Sequence, residues 1–265
     1  MNVITPSGLS ADTQLGQLPG NLIDAARWCD ASADVTALAA TSRSPRLVVS
    51  GRLASGKDTV AAAVMTAIGH PDSVQVSFAT ALRDEVGQLL TAVRTCADVE
   101  DAVLAVASTA SIDPATARTT ATLLWQALQL DPTVTPWTRT REMRLALQDW
   151  GTGVRRAADP LHWVKRGARR AIEAIATGRA VHITDARFAN EVLVAKALGF
   201  HAVRLEVDLD VRAHRLWERD GLNIDPASEN HPSEVELETF DHFDQWVSND
   251  GPLSQTVAEI LTAMR

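Results

Sequence analysis

Apolar residues recur along this chain in two distinct rhythms. Short apolar or alternating runs of strand length fall at residues 47–50, 74–78, 181–184, 202–207 and 245–248. Between them the apolar positions repeat every three or four residues, the spacing of a helix with one buried face. The first such helix is Ala-rich and extends through Ile68. Met143, Leu147 and Trp150, at i, i+4 and i+7, place an apolar stripe on another, and Gly151 is expected to end it. A helix over about 163–177 turns Ile172 and Ile175 inward and its arginines outward, with Gly178 as its stop. The last helix, about 252–263, follows an Asn249-Asp250-Gly251 turn and is expected to bury Leu253, Val257, Ile260 and Leu261. Alternating strands and helices of this kind predict an α/β architecture with a parallel sheet.

One connection breaks the alternation. From about 79 to 180 the chain carries Ala-rich helical stretches broken at Asp113-Pro114, Asp131-Pro132 and Thr135-Pro136. A structureless loop of that length is implausible, so a helical region inserted between the second and third strands is expected. Residues 1–44 are rich in Ala, Ser, Thr, Asp and Gly, with a weakly apolar patch at Leu22-Ile23 and Ala25 to Trp28. They read as an N-terminal extension with one helix, preceding a main domain over 45–265. No internal repeat or heptad run is visible.

Composition narrows the classes. A hydrophobic fraction of 46% over 265 residues and a mean hydropathy of −0.03 suit a folded domain with a core, and no apolar run approaches membrane-spanning length. The first fifteen residues lack the charged start and apolar centre of a signal peptide, and the two cysteines, Cys29 and Cys96, are far apart, so a reducing cytoplasm is the expectation. Net charge is −8, which disfavours a broad grip on duplex nucleic acid. The positive charge is mostly arginine, whose planar fork suits the phosphates of a small ligand.

Candidate chemistry begins at the first strand. Gly51-Arg52-Leu53-Ala54-Ser55-Gly56-Lys57-Asp58-Thr59 stands between that strand and the Ala-rich helix, the context a phosphate-binding loop requires. Gly51 and Gly56 permit a backbone path on which successive amides, Ser55 among them, converge on a polyphosphate at a helix N-terminus. Lys57 supplies a point charge for the terminal phosphates. Where such loops commonly place Ser or Thr directly after the lysine, this chain has Asp58; Thr59, one residue later, is the candidate for phosphate and Mg²⁺. Asp58 is either a helix-start carboxylate favoured by the dipole or a catalytic group.

The third strand runs into Asp185-Ala186-Arg187-Phe188-Ala189-Asn190-Glu191. A carboxylate at the C-terminal end of a parallel strand stands where ligands bind in open α/β sheets, so Asp185 is a second candidate for Mg²⁺ and Arg187 for a phosphate. The alternatives are an N-cap Asp and a surface Arg. Arg212, Arg215 and Arg219 recur at i, i+3 and i+7 after the fourth strand, either as a phosphate clamp or as an exposed face mixed with Glu218 and Asp220. In His231-Pro232-Ser233-Glu234, Ser233 with Glu236 reads as a capping box, and His231 is given no catalytic role.

Taken in order, these pieces resemble the bacteriophage deoxynucleoside monophosphate kinases, distant relatives of adenylate kinase. The resemblance rests on the phosphate loop, Ser77-Phe78-Ala79 with Arg83, Leu147-Gln148-Asp149-Trp150-Gly151-Thr152, Asp159-Pro160 with Trp163, the 183–191 stretch, His231-Pro232-Ser233-Glu234 and Asn249-Asp250-Gly251. It spans about 46–264. Ala186 and Ala189 depart from the family's usual residues, and the Ala/Thr-rich stretch at about 95–140 is unusual, so base preference does not carry over.

The resemblance implies a three-layer fold on a five-stranded parallel sheet of order 2-3-1-4-5, with 79–180 as the acceptor-binding region and about 208–235 as a lid. It implies ATP and Mg²⁺ as cofactors and transfer of the γ-phosphoryl group to the 5′-phosphate of a deoxynucleoside monophosphate. Arg83, Arg144, Gln148, Arg156, Trp163, Arg187 and Glu191 become acceptor-binding candidates, Trp163 as a stacking surface or as core. Lys57, Asp185, Arg187 and Arg215 become the catalytic set, and Gly51, Ser55, Gly56, Asp58, Thr59, Arg212 and Asn249 hold the donor nucleotide. The expected setting is a host-cell cytoplasm, with no membrane or stable nucleic-acid partner and a homodimer left open. Two other readings keep the loop: phosphorylation of a hydroxyl on a modified base in DNA, and a nucleotide-binding module without catalysis.

Overall fold

The computed structural model describes residues 44–264, and the readings made for the N-terminal extension and for Cys29 lie outside them. The five expected strands are present as β1 (Arg46–Ser50), β2 (Val74–Val76), β3 (Val181–Ile183), β4 (His201–Glu206) and β5 (Gln245–Ser248). All pairings are parallel, and the sheet order is β2-β3-β1-β4-β5. This is the order expected of a phosphate-loop, kinase-like fold. The connection after β1 runs to β2 on one side and that after β3 runs to β4 on the other, so the C-terminal ends of β1 and β3 flank the crevice where such sheets bind ligands.

Contacts divide the described chain into two units, one of residues 44–78 with 168–264 and one of Ala79–Gly167. In the sheet unit, α1 (Lys57–Ala67) and the last helix cover one face with Leu47, Val49, Val60, Val64, Met65, Val203, Leu205, Val247 and Ile260. That last helix, Leu253–Ala263, buries Ile260 and Thr256 but leaves Leu253 38% exposed. Leu253 sits on its first turn, before the helix reaches the sheet, so the expectation that it is core is corrected.

The helical unit is built from α2 (Ala79–Val93), α3 (Val99–Ala110), α4 (Pro114–Leu130), α5 (Arg141–Gln148) and the start of α6 (His162–Ala176). Their starts follow the sequence signals. Asp98, Asp113 and Thr140 each accept a bond from the amide three residues on, and Pro114 takes the first turn of α4, where its missing N–H costs nothing. Fully buried Leu124, Met143 and Trp150 centre this unit's own core.

Gly151 does not end α5. The chain continues through a π-helical turn, Asp149–Arg156, in which Gly151 is buried and a Cβ there would stand 3.1 Å from Leu82 Cδ2. Its small size serves packing, not termination. Among the described residues, no helix is long and apolar enough to cross a membrane.

Candidate active site

The phosphate loop joins β1 to α1. Gly56 is the residue before the helix and adopts φ +84°, the left-handed region that glycine enters without steric cost. A Cβ on Gly56 would lie 2.8 Å from Asn249 Nδ2, and one on Gly51 2.5 Å from Ser55 Oγ. A side chain at either position would force its neighbours to shift, and at Gly56 the backbone angle adds strain. Lys57 folds back over the loop and donates to Gly51 O at 2.7 Å and Arg52 O at 2.8 Å. Burial, then the nearby Arg187, lower its ammonium pKa to about 7, although Glu234 and Asp58 pull the other way.

Among the described residues, two polar atoms at the loop are buried with no hydrogen-bond partner: Ser55 Oγ and Arg215 Nη1. A buried polar atom without a partner is costly, and at a loop of this kind such an atom is a contact open to a ligand, an ion or a water. Arg215 Nη1 lies near enough that a Cβ on Gly56 would stand 3.9 Å from it. Its other terminal nitrogen, Nη2, donates to Asn249 O at 2.7 Å, so α8 (Leu209–Asp220) presents Arg215 to the loop in a fixed pose.

The sheet ends supply carboxylates. Asp185 follows β3; its Oδ2 accepts from Ser77 Oγ at 2.5 Å and its Oδ1 from Phe78 N at 3.0 Å, tying β3 to the end of β2. Asp58, on the first turn of α1, accepts from the Thr184 hydroxyl and from Gln75 Nε2 at 3.2 Å. Thr59 is exposed on that same turn.

Arg187 donates to Glu234, and Arg212 reaches Glu229 with Nη2 at 2.6 Å and Nη1 at 3.2 Å. Both arginines were expected at the site. Each is bonded to a carboxylate.

Several sequence-derived roles change. Glu191 was expected to bind acceptor, but it is 3% exposed and its Oε2 accepts from the amides of Arg187 at 2.8 Å and Phe188 at 3.2 Å. It caps α7 (Ala189–Ala197) and so fixes the turn that aims Arg187. Asn249 was expected to hold nucleotide; instead its Nδ2 donates to Ser55 O at 2.8 Å and its Oδ1 accepts from Thr256 at 2.9 Å, which makes it a buttress behind the loop.

Trp163 is 3% exposed in the helical core with its Nε1 donating to Gly151 O at 2.9 Å, so its face is not open to a base. The Ser233–Glu236 capping box is absent: His231 caps the short helix by accepting from Ser233 N, and Glu236 accepts from Ala189 N.

In the helical unit, Arg83 donates to Pro136 O and its guanidinium lies 4.5 Å from the Trp137 ring centroid, while Arg156 reaches Pro160 O at 3.4 Å. No side-chain hydrogen bond joins Arg144 or Gln148 to another described residue. The strongest polar cluster here was missed by sequence reasoning. Glu85 accepts from Trp150 Nε1 at 3.1 Å and Arg155 Nε at 2.9 Å, with His162 Nε2 at 3.2 Å. Burial raises the Glu85 pKa, but hydrogen bonds from His162, Trp150 and Arg155 outweigh it and leave the carboxyl below its ordinary value.

Arg52, Arg204, Glu229 and Glu234 were also missed at the loop. Arg204 lies in β4, 5% exposed, and donates to Ser50 Oγ at 3.1 Å; burial lowers its pKa to about 10. A charge inside the apolar run Ala202-Val203-Arg204-Leu205 was the available signal.

No family model and no curated protein matches the chain. Among solved structures it is similar to a gluconokinase from Sinorhizobium meliloti 1021, at 18% identity over 84% of this chain and 93% of that one, with a TM-score of 0.38. It is likewise similar to TT1252 from Thermus thermophilus, at 16% identity over 84% of this chain and 98% of that one, with a TM-score of 0.40. Likenesses this distant carry no weight for substrate. The fold rests on the sheet order and on the loop between β1 and α1.

Proposed function

We propose that the chain is an ATP-dependent phosphotransferase whose acceptor is a deoxynucleoside monophosphate. The observation that carries this reading is the pair of buried, unpartnered groups, Ser55 Oγ and Arg215 Nη1, beside a glycine-bounded loop at the C-terminal end of β1. Oxygens of a polyphosphate seated on the loop amides would satisfy both groups.

Lys57, Arg187 and Arg215 would hold the donor's terminal phosphates in line with the acceptor and neutralise the charge spread over the transferring group. Magnesium suits this site as an ion held mainly by phosphates and water. Among the described residues, no group of three or more acidic, His or Cys side chains forms a cage. Thr59 would offer a hydroxyl and Asp185 a carboxylate for its waters, and the ion would add neutralising charge.

The acceptor choice follows from proton bookkeeping. A hydroxyl acceptor needs a base, and the nearby candidates, Asp58 and Asp185, accept hydrogen bonds from Thr184 and Gln75, and from Ser77 and Phe78. A nucleoside monophosphate, whose second phosphate pKa is about 6, arrives as an anionic nucleophile and needs none.

The test is ADP release with a panel of deoxy- and ribonucleoside monophosphates. Release stimulated by at least one deoxynucleoside monophosphate supports the proposal; γ-label entering DNA instead would move the acceptor to a hydroxyl.

A further inference from the structure

The loop faces more cations than it uses on itself, and the chain answers them with its own carboxylates. Glu234 is 8% exposed; its Oε2 accepts from the loop amide Leu53 N at 2.9 Å, and its Oε1 accepts from Arg187. Glu229 accepts from Arg52 and takes both terminal nitrogens of Arg212, which also reaches Leu53 O at 3.5 Å. Arg52 donates to Glu238 as well.

A loop amide and two-pronged guanidinium groups are the donors that recognise phosphate oxygens, and here carboxylate oxygens sit on them. The match is one of geometry but not of charge, since each carboxylate brings one negative charge where a phosphate brings nearly two. Five arginines, Arg52, Arg187, Arg204, Arg212 and Arg215, stand around Lys57, with Glu229, Glu234 and Glu238 bonded to three of them and Asp58 and Glu206 close to Lys57 and Arg204.

The segment that carries these glutamates is anchored through its carboxylates, Glu236 on Ala189 N among them, and only lightly by apolar packing. It consists of two four-residue helices, Pro226–Glu229 and Pro232–Val235, and one 3₁₀ turn, Glu236–Glu238. Among its described apolar side chains Leu237 alone is buried. Few buried apolar contacts hold such a segment, so the cost of opening it lies mainly in its carboxylate pairings, which the phosphates of a ligand would replace on the same donors.

We propose that Arg52, Arg187, Arg212 and the Leu53 amide form an anion subsite for a phosphorylated ligand, and that Glu229 and Glu234 fill it until the ligand's phosphates displace segment 226–238. The proposal rests on the phosphate-loop reading and adds Arg52 to the phosphate contacts. The opposing view is that Glu234 is a permanent clamp on the loop, needed for its shape.

The two views differ in sign. Glu234→Gln keeps an oxygen for the Leu53 amide but removes the competing charge, and Glu229→Gln does the same for Arg52 and Arg212. Calorimetric titration of the full chain with inorganic tripolyphosphate should show each variant binding at least threefold tighter than the parent. Binding less than threefold tighter, unchanged or weaker in both variants overturns the proposal.

Should a variant fail to fold, the parent protein gives the same sign by hydrogen exchange. The amides of Asn230, Glu234 and Val235, bonded to Pro226 O and His231 O, should exchange faster when tripolyphosphate is saturating; slower or unchanged exchange overturns displacement. If the parent and both variants all fail to bind tripolyphosphate, the phosphate-loop reading itself falls.

Discussion

Lys57 must act as a cation at a place that penalises cations. Burial and Arg187 bring its pKa to about 7 from an ordinary 10.5, so at pH 8 most of the folded chain carries it neutral. A bound polyphosphate would favour the charged form. At pH 8 nucleotide binding should therefore take up close to one proton, read as a positive slope of binding enthalpy against buffer ionisation enthalpy; Lys57→Met should remove that slope.

The same shift couples to stability with a definite sign. Between pH of about 7 and 10.5 the unfolded chain binds the extra proton, so the Lys57 contribution makes the fold more stable as pH rises through that window. Removing the ammonium altogether should cost catalysis. Lys57→Ala is expected to lower kcat by roughly 10²–10³, the loss typical of one preorganised transition-state donor. Turnover within tenfold of the parent would remove Lys57 from the mechanism.

At the scale of elements, the loop and its buttress act as one piece. Gly56 combines a left-handed φ with a Cβ position 2.8 Å from Asn249 Nδ2, and Asn249 in turn holds Ser55 O. Gly56→Ala should cost about 1–3 kcal/mol in urea denaturation, because strain in the left-handed region adds to the clash. It should also weaken nucleotide binding through the displaced loop.

The strands were legible in the sequence because buried parallel strands read as apolar runs, and the sheet order followed from the family resemblance. The π-helical turn at Asp149–Arg156 was not, since glycine after an apolar stripe signals termination unless packing, here against Leu82, claims it. Glu191 and Asn249 were expected to contact ligand, but their side chains bond the backbone of Arg187, Phe188 and Ser55 instead. Motif spacing places a residue near the site without telling whether its side chain faces the ligand or the backbone behind it. Glu229 and Glu234 stayed hidden because their partners lie more than 40 residues away, apart from Arg212 for Glu229 at 17.

At the scale of the whole molecule, each unit carries a core of its own. Trp150 is fully buried at the centre of the helical unit and donates to Glu85, so Trp150→Ala should destabilise the protein by about 3–5 kcal/mol in urea denaturation. Net charge of −8 disfavours polyanions at large, while Arg52, Arg187, Arg204, Arg212 and Arg215 grouped around Lys57 provide local donors for a small anion. The central claim is that this loop passes a phosphoryl group from ATP to a small phosphorylated acceptor. The direct measurement follows γ-labelled ATP in a mixture of deoxynucleoside monophosphates and duplex DNA, with the parent chain and Lys57→Ala side by side. The account predicts label in a deoxynucleoside diphosphate with the parent and at least about a hundredfold less with the variant; label in DNA, or none in any nucleotide, would contradict it.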